Sequence, residues 1–138
     1  MGKYVWLVIS LFSLGFSSCK KAVDNAQENA AFEIITNGQW QVTKFDVGTT
    51  PKLSEYSGFI FQFYNTGIVK AMKTGNPDID GNWSVRTDVA AINSNFPGQG
   101  DPLKRFNGTW LLTKTTETTV QAIKDDAGVT YTLALKKL

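Results

Sequence analysis

The sequence predicts an all-β fold, an eight-stranded antiparallel up-and-down β-barrel preceded by a short N-terminal helical leader. Three observations carry this. From Gly38 onward, apolar residues alternate with wetter ones at period two. The alternating runs are short and are separated by residues with turn chemistry. No helical stretch interrupts them, so the strands follow one another as a meander, and eight such strands can close on themselves and remove the exposed edges.

The chain divides into three parts: 1–18, 19–36 and 37–138. The first has the layout of a secretory signal. Lys3 supplies a positive start, residues 4–16 are apolar apart from Ser10 and Ser13, and Ser17 and Ser18 are small. A permanent membrane span needs roughly 20 apolar residues, so this run is too short to be one. Cys19 follows at once and is the single cysteine of the chain. No disulfide can staple the domain, and its hydrophobic core must hold it together.

The second part is a tether with helix formers in its middle. Asp24 suits a helix cap, and Ala26, Ala30, Ala31, Ile34 and Ile35 recur at helical spacing. Asn37-Gly38 ends it, and Phe32, Ile34 and Ile35 are expected to pack on the domain.

The third part gives strands near 39–47, 58–64, 67–73, 81–87, 89–96, 106–114, 118–125 and 129–137. Phe59, Phe61 and Phe63 alternate with Ile60, Gln62 and Tyr64. Trp83 and Val85 alternate with Asn82, Ser84 and Arg86, and Val120 and Ala122 with Thr119, Gln121 and Ile123. Val129, Tyr131, Leu133 and Leu135 alternate with Thr130, Thr132, Ala134 and Lys136. Asn65-Thr66-Gly67 predicts a three-residue hairpin with a left-handed Gly, and Asp125-Asp126-Ala127-Gly128 another. Residues 75–81 and 97–102 predict longer loops.

Gly-x-Trp occurs three times at a strand start: Gly38-Gln39-Trp40, Gly81-Asn82-Trp83 and Gly108-Thr109-Trp110. The spacings are unequal, which excludes a blade repeat. Each Trp is expected to cap an end of the barrel with a ring whose N–H needs a partner.

With these motifs in view, the chain resembles the bacterial lipocalin-like domain lipoproteins. The matching residues are Gly38-Gln39-Trp40, the run Phe59-Ile60-Phe61-Gln62-Phe63 with Asn65-Thr66-Gly67, and Gly81-Asn82-Trp83. Cys19 behind Ser17 and Ser18 is similar to the lipobox of that class, with Phe16 where Leu is preferred. The resemblance implies acylation of Cys19 and attachment to a membrane of the bacterial cell envelope. Lys20, in place of Asp, implies the outer membrane. Short strands, and an end on the last strand without a following helix, depart from secreted lipocalins. They imply a small or filled interior.

Charge and composition narrow the function. Fourteen Lys and Arg stand against twelve Asp and Glu, scattered without a basic stripe, which argues against nucleic acid. The chain has no histidine, which excludes Ser-His-Asp and Cys-His catalysis, His-ligated zinc and His-ligated haem. Neither a nucleophile motif nor a facing carboxylate pair is legible, so no enzyme, catalytic residue or cofactor is expected. Residues 76–81 resemble half of a calcium loop, but Thr87 stands where a bidentate Glu is required, and no metal site is expected.

A barrel of this kind that binds a small apolar or amphipathic ligand would hold it with Trp40, Phe61, Tyr64, Trp83, Trp110 and Tyr131, and Arg86 would meet an acidic head group. The alternative is a solid barrel whose outer face contacts another envelope protein or a glycan. For that face, Thr115, Thr116, Thr118, Thr119, Thr130 and Thr132 predict a flat Thr-rich surface. Interior volume separates the two readings.

Overall fold

The computed structural model describes residues 30–86 and 89–138. The signal segment, Cys19 and the first part of the tether lie outside these residues, as does Thr87. Residues 30–36 form a short helix, α1. Nine strands follow: β1 (Trp40–Val47), β2 (Thr50–Pro51), β3 (Phe59–Phe63), β4 (Ile68–Lys73), β5 (Ile79–Val85), β6 (Ala91–Asn95), β7 (Gly108–Thr115), β8 (Thr119–Asp126) and β9 (Val129–Lys137). Eight of them build the barrel, and β2 is a two-residue flap on β1. All pairings are antiparallel and run in chain order from β3 to β9, and β9 then closes on β1 from Trp40↔Lys137 to Val47↔Tyr131. The predicted fold class is the observed one.

Alternation sets the inner face. Val42 and Phe45 on β1, Phe61 and Phe63 on β3, Val69 and Ala71 on β4, and Leu133 and Leu135 on β9 are all buried. The bulge between Val42 and Lys44 shifts the period by one residue, and this turns Phe45 inward. The closure has one thin place. β1 and β3 share the single pair Trp40↔Phe61. Below it β2 occupies the edge of β1, and the 3-10 turn Leu53–Tyr56 drops the buried Tyr56 ring into the gap.

Two further features were not anticipated. A second 3-10 turn, Leu103–Phe106, follows the predicted 97–102 loop, takes in the expected first residue of the 106–114 strand, and buries Leu103 and Phe106. The β8–β9 loop has two residues rather than three: β8 runs through Asp126, and Ala127 (φ 50°) and Gly128 (φ 81°) make the turn. Positive φ at both central positions marks a hairpin loop whose twist matches that of the flanking strands. Ala is a poor residue there because its Cβ crowds the following carbonyl. Ala127→Asn is therefore expected to stabilise the domain by about 0.5–1 kcal/mol, read as a higher denaturant midpoint with unchanged slope.

Candidate functional site

The barrel interior is the first place to look for a site. It is filled by a relay of rings. Phe45 stacks on Tyr56 at 4.5 Å between ring centres and lies 5.6 Å from Phe106, which in turn meets Phe61 at 4.8 Å. Trp110 lies 5.9 Å from Phe45 and 6.3 Å from Phe106. What remains is a cavity of ≈ 30 Å³, lined by apolar residues and Ser94. Binding pockets for small molecules run from about 300 to 1,000 Å³.

Both ends are shut. At one end α1 lies across the opening: Ile35 is buried, and Phe32 stacks on Trp83 at 5.4 Å. At the other end the 3-10 turn Leu103–Phe106 acts as a plug whose carbonyls are taken up by side chains from the wall. Ser94 and the Trp110 indole N–H both donate to the Phe106 carbonyl, the latter at 2.9 Å. Tyr56 O–H donates to the Pro102 carbonyl at 2.9 Å. Asn107 Oδ1 accepts the Phe96 N–H at 2.7 Å.

The residues singled out from the sequence are distributed as follows. Trp40, Phe61 and Trp110 line the small cavity. Trp83 is buried beside it, while Tyr64, Arg86 and Tyr131 are half-buried. Each Trp of the three Gly-x-Trp motifs has an acceptor: Trp40 uses the Ile35 carbonyl at 2.9 Å, Trp83 that of Tyr64 at 2.8 Å, and Trp110 that of Phe106. In the Thr-rich segment, Thr116 and Thr119 bond each other at 2.6 Å, and Thr116 Oγ1 also accepts the N–H groups of Thr118 and Thr119. These hydroxyls shape the β7–β8 hairpin. Asp80, in the calcium-like stretch, pairs with Lys70 at 2.9 Å across β4 and β5. Among the described residues, no group of three or more potential ligands is placed to hold a metal, and no helix is long and apolar enough to cross a membrane.

Lys124 is the residue that sequence reasoning missed. It continues the inward series Val120, Ala122, Lys124 and is buried. Its ammonium donates to the carbonyls of Arg105 at 2.6 Å and Asn107 at 2.8 Å, and lies 4.8 Å and 4.5 Å from the centres of the Trp110 and Tyr131 rings. Burial lowers its pKa, opposed by the charge of Asp126. The period-two pattern placed position 124 inside; only its charge argued otherwise, and the plug carbonyls resolve that conflict.

Beside Lys124, Arg105 reaches outward to Glu55 at 2.8 Å and Asp101 at 3.5 Å. Tyr56 shares this end. Burial pushes its phenol well above the usual value of 10.0, with Arg105 opposing. The folded state therefore favours neutral tyrosine. Below pH 10 both states hold the proton and nothing changes; above pH 10 the unfolded chain ionises first and stability falls. Lys124 has the opposite sign and gains stability as pH rises toward 10.5. The difference between wild type and Tyr56→Phe isolates the tyrosine. The variant is expected to lose about 1 kcal/mol at pH 8, with the Pro102 bond, and to show a shallower fall between pH 10 and 11 in urea titrations.

No family model matches the chain, and no curated protein does. Among solved structures, the chain is similar to the crystal structure of a DUF4847 family protein from Bacteroides vulgatus ATCC 8482, with a TM-score of 0.54 and 17% identity over 75% of this chain and 94% of that one. At that identity the likeness is one of fold, a small antiparallel β-barrel.

Proposed function

We propose that this protein is an interaction module of the bacterial cell envelope, a solid barrel that works through its outer surface. In this reading acylated Cys19 holds it to a membrane, the outer one by the Lys20 criterion. The observation that supports it is the interior: ≈ 30 Å³ of free space behind a helix at one end and a bonded plug at the other. The carrier reading, with an apolar or amphipathic molecule among Trp40, Phe61, Tyr64, Trp83, Trp110 and Tyr131 and its head group on Arg86, requires roughly tenfold more room. The anchoring reading rests on the sequence, where a lone Cys follows a short apolar run and two serines. Several acyl chains at about 0.8 kcal/mol per buried methylene suffice to hold a domain of this size. The reading assigns no catalysis and no cofactor to the chain, and no nucleic acid as partner.

Native mass spectrometry of the protein extracted from its membrane tests both halves. The expected mass is that of the chain from Cys19 plus covalent acyl groups, with nothing else bound, and Cys19→Ala is expected to leave the membrane fraction. A further mass released on denaturation would make the protein a carrier. Membrane retention of Cys19→Ala would remove the anchor.

A further inference from the structure

The outer face is not uniform. Lys44, Asp46, Lys70 and Asp80 lie on or beside the β1–β4 side. From β5 to β9 the outward positions are uncharged over a continuous patch. Asn82 pairs with Asn95, and Ser84, Asn93 and Thr109 form one row. Leu111, Ile123 and Thr132 form the next, and Gln121 faces Ala134. Among the described residues, charges return at the borders: Asp80 and Asp125 toward the plug end, Arg86, Lys114 (opposite Gln121) and Lys136 toward α1, and Lys44 and Asp46 along the β9 edge, opposite Ala134 and Thr132.

The composition of this patch runs against strand preference. Asn is disfavoured in strands. All the strand asparagines of the described residues, Asn82, Asn93 and Asn95, are nevertheless here, on adjacent strands. Solubility alone is served as well by Lys, Glu or Thr, which the rest of the surface uses. Beside the amides, Leu111 is 46% exposed.

We propose that the β5–β9 outer face binds a neutral saccharide chain, a proposal that rests on the outer-surface reading above. Side-chain amides carry donors and an acceptor on one small planar group, which matches the mixed donor and acceptor hydroxyls of a sugar without any charge to satisfy. Thr109 Oγ1 donates to Asn93 Oδ1, which orients that amide and leaves its N–H donors for a ligand. Leu111 and Ile123 offer an apolar strip to the C–H face of a ring. An absence of charge across the patch disfavours uronate- or phosphate-bearing chains, which need cationic partners. Size points the same way. Four inter-strand gaps and three or so residues along each strand give on the order of 200 Å². Each partner of a stable protein complex contributes about 800 Å².

The test is affinity electrophoresis of the detergent-solubilised full chain in gels containing dextran, mannan, glycogen, arabinoxylan or mixed-linkage β-glucan, with alginate as the anionic control. At least one neutral polymer is expected to retard the wild type. Asn95→Asp and Leu111→Asp are each expected to weaken that retardation at least tenfold, with an unchanged denaturation midpoint for Asn95→Asp, while Lys52→Gln, beside the β1–β3 seam on the opposite side of the barrel, behaves as wild type. Retardation by none of the neutral polymers, by alginate alone, or equally for wild type and Asn95→Asp would overturn the proposal. So would a concentration-dependent dimer abolished by Leu111→Asp, which would assign the face to a second copy. These failures leave the solid-barrel reading standing, whereas an internal ligand in native mass spectrometry sinks that reading directly.

Discussion

Phe45→Ala is expected to cost about 3–5 kcal/mol, the range for removing a large aromatic from a packed core. The ring is fully buried and touches Tyr56, Phe106, Trp110 and Tyr131, so it joins the seam filler, the plug and two walls of the barrel. The surrounding rings are held from several directions and cannot collapse into the space left behind. A domain of this size has about 5–15 kcal/mol in total. Thermal unfolding should show a midpoint lower by more than about 12 °C, or no cooperative transition at all. A drop of only a few degrees would mean that the interior repacks and is less rigid than the ring relay implies.

Gly81→Ala is the second large effect, and it works by crowding. A Cβ at position 81 would lie 2.6 Å from the Asn95 carbonyl oxygen and 2.8 Å from the Phe96 ring. The carbonyl belongs to the backbone of β6, so β5 and β6 must separate to admit even a methyl group. Overpacking of this kind costs about 1–3 kcal/mol, and a backbone neighbour puts this site at or above the upper end. Gly108, at another of the Gly-x-Trp motifs, meets only the side chain of Lys124 at 3.1 Å and has positive φ, so its requirement is conformational. Urea denaturation of both Ala variants checks the contrast. Gly81→Val should be worse than Gly81→Ala. Equal midpoints for these two would refute the steric account.

The eight strands were legible because each carries its own evidence: period two inside, turn residues outside. Their observed limits fall within about two residues of the expected ones. Within the described residues, α1 was legible from Ala30, Ala31, Ile34 and Ile35 at helical spacing with Asn37-Gly38 behind them. What escaped has no period. The two 3-10 turns are four residues each, and nothing local distinguishes Leu103-Lys104-Arg105-Phe106 from a loop. The role of the second exists only once the walls supply Ser94, Trp110 and Lys124 as donors to its carbonyls. Interior volume was likewise illegible, since Trp40, Phe61 and Trp110 suit a packed core and a pocket wall equally well. The amide patch escaped because it joins strands whose register the sequence does not state. Asn82 and Asn95 are neighbours only after β5 and β6 pair.

The seam between β1 and β9 also governs when this domain can exist at all. Trp40 opens the barrel and Lys137 lies opposite it, so nearly the whole chain must be present before the first strand finds its second neighbour. Loops of that length close slowly, and folding dominated by such distant contacts is slow as well. A polypeptide emerging from a ribosome or a translocation pore therefore cannot seal prematurely: it stays threadable until the final strand arrives. Delay of this kind would suit the membrane crossing that the proposed envelope role requires.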